Sequence, residues 1–298
     1  PLSRSHLSGY PAGAVHSAAV KALLFHTLWG WQDSLDEASR YAKQAGFDGL
    51  EANLEHPCLK GWHTRDVQTL LSQQSQQLII EITTGGGYTP NLELSPEQHL
   101  AELETKLEQA CELTPLRINL ITGSDHWPMA QQHNFLERCL QLTSQAPIPV
   151  SLETHRSRSL FNPWAIEDIL TAHPTLRLTA DVSHWCVVAE RLMSPKLAAI
   201  QAMASHVDHI HARVGHEQGA GVPHPFTASW REALENHARC WSLFASHRIQ
   251  SGQPLTLTPE FGPDGYMPVH PNSGEPLADV TRINQLMADW LRTGAWLS

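Results

Sequence analysis

The sequence predicts a single (β/α)8 barrel. Short strand-like runs alternate with helical patterns from end to end, eight of each. The 298 residues suit such a barrel, which takes roughly 250. No GxGxxG follows the first strand-like run, which removes the usual reason to prefer a doubly wound open sheet. No composition break, low-complexity segment or internal repeat marks a second domain. Residues 21–298 are read as the barrel. Residues 1–20, with Ser, Gly, Pro and Ala but no apolar core, are read as a loosely ordered lead-in and not a signal peptide.

The elements follow in order. Lys21–Thr27 is the first strand, followed by a helix from about Ser34 with Asp33 as its cap and Gly46 as its stop. Phe47–Asn53 is the second strand and Thr64–Gln77 its helix. Leu78–Thr84 runs into Gly85-Gly86-Gly87, and Ser95-Pro96 then opens a long helix to about Leu113. Leu116–Thr122 and Pro128–Ser144 form the fourth unit. The fifth strand is the stretch Pro149–Arg156, followed by a helix at Pro163–His173. Leu176–Ser183 with Ser194–His206, Val207–Val214 with Ala228–His247, and Leu255–Phe261 with Leu277–Trp296 complete the set.

Composition narrows the function. A formal net charge of −10 argues against a phosphate backbone as partner, because such binding relies on basic patches. No run approaches the roughly 18 apolar residues of a membrane span. The five scattered cysteines, with no CxxC pair, read as reduced thiols of a cytoplasmic protein. A small uncharged or metal-chelating ligand suits this chain better than nucleic acid. Nineteen histidines are too many to select by type, so position must select them.

Strand parity does so. Alternate side chains of a strand share a face. In the fifth strand Val150, Leu152 and Thr154 lie on one side, and Ser151, Glu153 and His155 on the other. The same rule turns Thr179 and Asp181 away from Leu178, Ala180 and Val182. It groups His209, His211 and Arg213, and it sets Glu260 opposite Leu255, Leu257 and Phe261. In the second strand it selects Glu51. Glu153, Asp181 and His211 stand about 30 residues apart, the length of one strand–helix–strand unit, which places them at equivalent heights on neighbouring strands. Each ends a strand at the face where barrel enzymes keep their active sites. Inward polar residues can simply bond one another. Four on consecutive strands point instead to one divalent ion held by Glu153, Asp181, His211 and Glu260. Three carboxylates and an imidazole suit Mn, Mg or Co, and Zn also accepts them.

Glu153, the motif Asp181-Val182-Ser183-His184, His211 and Glu260 resemble the metal-site pattern of the xylose isomerase-like barrel superfamily. The similarity runs from Gly46-Phe47-Asp48-Gly49-Leu50-Glu51 to Pro259-Glu260-Phe261-Gly262. That group includes sugar isomerases and epimerases, inosose dehydratases and endonuclease IV. The resemblance implies that Glu153 and Glu260 bind metal and serve as an acid/base pair, and that His184 contacts the substrate. Arg213, on the inward face with His211, is a further candidate for a substrate oxygen or anionic group. His155, beside Glu153, either donates to the substrate or orients Glu153. Glu51 and His26 are read as floor or rim residues of the pocket, and His209 as a packed core histidine. Arg156 and Arg158 are candidates to meet a phosphate or carboxylate. Gly85–Gly87 is read as a tight turn at the mouth. The loops Gly215–Phe226 and Gly262–Pro276 could bring His216, Glu217 and Tyr266 to a ligand, or serve as a contact surface in a homo-oligomer.

The resulting expectation is a metal-dependent sugar or polyol isomerase or epimerase working by proton transfer through an enediolate. An inosose dehydratase-like lyase uses the same site. A non-catalytic sugar- or metal-binding barrel is a third class, against which the acid/base pair speaks. The endonuclease IV-like alternative needs extra histidines on earlier strands and an Asp-x-His after the seventh. The third strand and the loop after Val214 supply neither. A hydride shift of the xylose isomerase kind needs a site lysine, and none of the five lysines ends a predicted strand.

Overall fold

A computed structural model describes residues 22–297, so the reading of the first twenty residues lies outside the described part of the chain. Eight parallel strands close into a barrel in chain order: β1 Ala22–Thr27, β2 Gly49–Asn53, β3 Gln77–Thr83, β4 Arg117–Ile121, β5 Val150–Glu153, β6 Leu178–Ala180, β7 Val207–His211 and β8 Leu255–Thr258. Closure comes from β8 pairing with β1, Leu255 beside Ala22 and Leu257 beside Leu24. The predicted fold class is correct.

Two layers of side chains explain the alternation. Leu50, Ala52, Ile80, Ile82, Ile118 and Leu120 face outward into the apolar layer beneath the helices. Fully burying one such side chain stabilises the fold by roughly 1.5–3 kcal/mol. The alternate positions are polar and point into the barrel, where they bond one another, as Ser151 does with Thr179 at 2.7 Å. His26 belongs to the outer layer. It lies among Trp31, Tyr41 and Phe47, with ring centroids 4.9–5.4 Å away. That corrects its reading as a pocket residue.

The helices are α1 Leu35–Gln44, α2 Thr64–Gln73, α3 Pro96–Glu112, α4 Met129–Thr143, α5 Ile166–Ala172, α6 Val182–Val188, α7 Ala198–Met203, α8 Arg231–Gln250 and α9 Val280–Arg292. α1 buries Leu35, Ala38 and Ala42 along one stripe. Its cap is Ser34, in a reciprocal capping box with Glu37, and not Asp33 as the sequence suggested. Ser95 with Gln98 makes the same box at α3, with Pro96 at the first helical position. α2 stops short of its expected end because Ser75 turns the chain at φ 55.

One helix was not anticipated. β6 ends at Ala180, and α6 begins two residues later because the Asp181 carboxylate accepts the Ser183 N–H at 3.0 Å and caps it. The helix expected over Ser194–His206 shrinks to α7 and a 3-10 turn. All five cysteines are free. Among the described residues, no helix is long and apolar enough to cross a membrane.

Candidate functional site

The C-terminal ends of β5 to β8 deliver four heads to one point. One ligand atom each from Glu153, Asp181, His211 and Glu260 lies within 4.8 Å of the other three, and all four residues are buried. Glu153 is the last residue of β5, and His211 of β7. Asp181 is fixed by its capping role at α6. Glu260 lies just past β8, where Asn284 of α9 clamps the chain through two bonds to the Phe261 backbone at 2.8 and 2.9 Å.

Around these heads a narrow pocket is lined by Trp29, Glu81, Tyr88, Ile121, His155, His184, Arg213 and Tyr266, together with Glu153 and Glu260. Trp29, Tyr88, His155 and Tyr266 also line an outer vestibule with Arg156 and Phe161. Trp29 packs edge-on against Tyr266, centroids 4.8 Å apart. The Arg213 guanidinium lies over the Tyr266 ring at 4.7 Å.

His211 tests whether an ion fits. Its Nε2–H donates to Glu51 Oε1 at 2.9 Å, which leaves Nδ1 facing the carboxylates. That buried Nδ1 has no hydrogen bond, although it stands 2.9 Å from Glu260 Oε2 and 3.5 Å from Glu153 Oε2. The three atoms are close without being aimed at one another. Heads that converge on a common centre are arranged this way. A carboxylate behind a ligating imidazole is also the usual support for a bound metal. Glu51 thus sits below the site and not in its wall, and it also accepts from His209 Nε2 at 3.1 Å and from the Thr258 hydroxyl. His209 is packed in the barrel, as expected from its depth.

Arg213 is fully engaged at the rim. Its Nη2 donates to Asp181 Oδ2 at 2.5 Å and lies 2.9 Å from His184 Nε2, and Nη1 donates to the Glu260 carbonyl at 3.2 Å. One guanidinium offsets one of three carboxylates. With a divalent cation the centre is electrically balanced, which satisfies the need to pair buried charge.

The two candidate acid/base groups differ in proton affinity. Burial raises a carboxyl, yet the His211 charge outweighs this at Glu153 and holds it at about 2. At Glu260 burial prevails over His211 and carries it up to about 7. Burial opposes charge on His211, but Glu260, Glu51 and Glu153 around it raise its pKa well above the ordinary value. Burial lowers His155 to about 4 and takes His184 well down, so both imidazoles are neutral near pH 7. Their rings lie 4.0 Å apart.

Several sequence readings land elsewhere. Arg158 faces no ligand: it is buried and donates to the carbonyls of Thr84, Gly87, Tyr88 and Gly123, tying down the glycine loop. His216 packs on Trp230 at 4.7 Å and does not line the pocket. Tyr266 does line it. Glu81, Trp29, Tyr88 and Asn119 were not singled out from the sequence. Parity would have found Glu81, since Leu78, Ile80 and Ile82 mark the outer row of β3. It would also have found Asn119, whose amide donates to Glu153 Oε2 at 2.8 Å. Loop residues such as Trp29 and Tyr88 carry no periodic signal.

No family model and no curated protein matches the chain. Solved structures do. An L-ribulose 3-epimerase aligns with TM-score 0.61 and 14% identity, covering 93% of this chain and 95% of its own. The probable 3-DHS dehydratase AsbF of Bacillus anthracis aligns with 0.59 and 13%, covering 91% and 99%. A xylose isomerase domain containing protein from Salmonella typhimurium aligns with 0.57 and 14%, covering 92% and 96%. The fold is a TIM barrel, and its structural neighbours include xylose isomerase-like proteins. Endonuclease IV from Thermus thermophilus shares it as well, so the fold alone leaves the reaction to be argued from the site.

Proposed function

We propose that this barrel is a divalent-metal-dependent isomerase or epimerase of a small sugar or polyol, acting by proton transfer next to a carbonyl. The observation that carries the reading is the meeting of Glu153, Asp181, His211 and Glu260 at the floor of a small polar pocket. These four residues would hold the ion. Bound there, it would supply Lewis-acid stabilisation of the oxygen that gains charge as a neighbouring C–H is deprotonated.

The protein groups account for the rest. Glu153, low in proton affinity, and Glu260, high in proton affinity, form a pair from which a proton can be removed and to which it can be returned. Asn119 fixes the Glu153 carboxylate. The neutral imidazoles of His155 and His184 present ring nitrogens to substrate hydroxyls, and Arg213 orients His184. Trp29, Tyr88 and Tyr266 offer apolar faces to sugar C–H groups and keep water from the reacting carbon.

The epimerases among the structural neighbours, one of them solved with D-allulose, make ketoses the first compounds to try. The test is exchange of a carbon-bound hydrogen of a ketose with deuterated solvent. Glu153→Gln and Glu260→Gln should each lower it by about 100-fold or more. Near-normal exchange in either variant rules the mechanism out.

A further inference from the structure

Among the described residues, Glu81 is the one carboxyl lining the pocket that lies outside the ligand cluster, and the proposed proton transfer gives it no task. It projects inward from β3 and is 5% exposed. Its Oε1 accepts the Asn53 amide at 2.8 Å. That amide is itself fixed, because Nδ2 also donates to Thr83 Oγ1 at 2.9 Å and Oδ1 accepts the Glu55 N–H at 3.0 Å. Oε2 has no hydrogen-bond partner among the described residues, and no cation pairs with Glu81 there. A carboxyl that lines the pocket and is held through one oxygen keeps hydrogen-bonding capacity for a ligand at the other. Such groups are kept where a ligand completes them.

We propose that Glu81 is a specificity-determining residue whose free oxygen binds one hydroxyl of the polyhydroxylated substrate. The inference rests on the sugar reading of the site. Its free oxygen can accept the hydroxyl proton.

The experiment uses the full chain loaded with Mn²⁺, the four D-ketohexoses and the monodeoxy analogues of the tightest binder, with affinities measured calorimetrically. The wild type should bind one analogue about 10- to 100-fold more weakly than its parent, as expected for a hydrogen bond to a charged or strongly polar group. Glu81→Ala should bind the parent about as weakly as the wild type binds that analogue. It should no longer tell the two apart, while the other deoxy penalties and one Mn²⁺ per chain persist. Glu81→Gln, which keeps the volume, serves if the alanine variant fails to fold, with partial loss at the same hydroxyl. An equal loss on the parent and every analogue, an unchanged pattern or a loss of bound Mn²⁺ in the folded variant overturns the assignment. Wild-type protein that takes up Mn²⁺ but binds none of the ketohexoses overturns the sugar reading, and this inference with it.

Discussion

Glu260 is where local electrostatics meets a measurable quantity. Burial raises its pKa from 4.5 to about 7. Between those values the folded chain holds a proton that the unfolded chain has released, so the stability this group contributes falls as pH rises. The contribution is complete below about 4.5 and gone above about 7. Measured in metal-free protein and compared with Glu260→Gln, the wild type should therefore lose stability between pH 5 and 7. The Gln variant subtracts the opposing histidines, His26 and His237 among them, which burial lowers to about 4 and which favour the folded state as pH rises. An identical pH slope in both proteins would show that Glu260 has an ordinary proton affinity.

At the scale of elements, the loops that follow the strands shape the pocket. Gly262, just after Glu260, lies against Trp29: a Cβ there would fall 1.9 Å from the indole Cζ3. No side chain fits without moving that ring. Gly262→Ala should displace Trp29 from the pocket wall and raise KM for an accepted ketose by about 10-fold or more, in line with the steep cost of misplaced positioning groups. Mn²⁺ stoichiometry should stay at one, because the ligands are anchored by strands and by Asn284. Unchanged kinetics would mean that Trp29 has no part in binding. These loops were also the least legible part of the sequence. Strand parity placed Glu153, Asp181, His211 and Glu260 on a common face because apolar outer rows make the alternation visible. It could not see α6, whose start depends on a side-chain cap at Asp181. Nor could it see Arg158, whose role is set by the carbonyls of a distant glycine turn.

Across the whole molecule the barrel has a polar mouth and a charged base. Near the starts of β4 and β7, Asp208 accepts from Arg177 at 2.5 Å and from Arg248 at 2.6 Å, with Arg117 at 3.8 Å. One carboxylate thus serves three guanidiniums, two of them buried. Asp208→Ala should cost about 3–5 kcal/mol, the range for stripping the partner from buried charge, as read from urea unfolding, without altering metal content. A cost below about 1 kcal/mol would show the cluster to be solvated and unimportant. The closed eight-stranded order was legible because the strand–helix alternation is complete along the chain. His26 was misjudged because its strand has Leu24 and Phe25 side by side, so hydrophobicity alone does not say which row faces the helices.

Sharing of one cation by the four residues at the mouth can be read by counting bound Mn²⁺ after dialysis. The wild type should hold one ion per chain, and His211→Ala and Asp181→Ala should lose it while still folded. Wild-type protein that retains no ion, or variants that retain it undiminished, would contradict it.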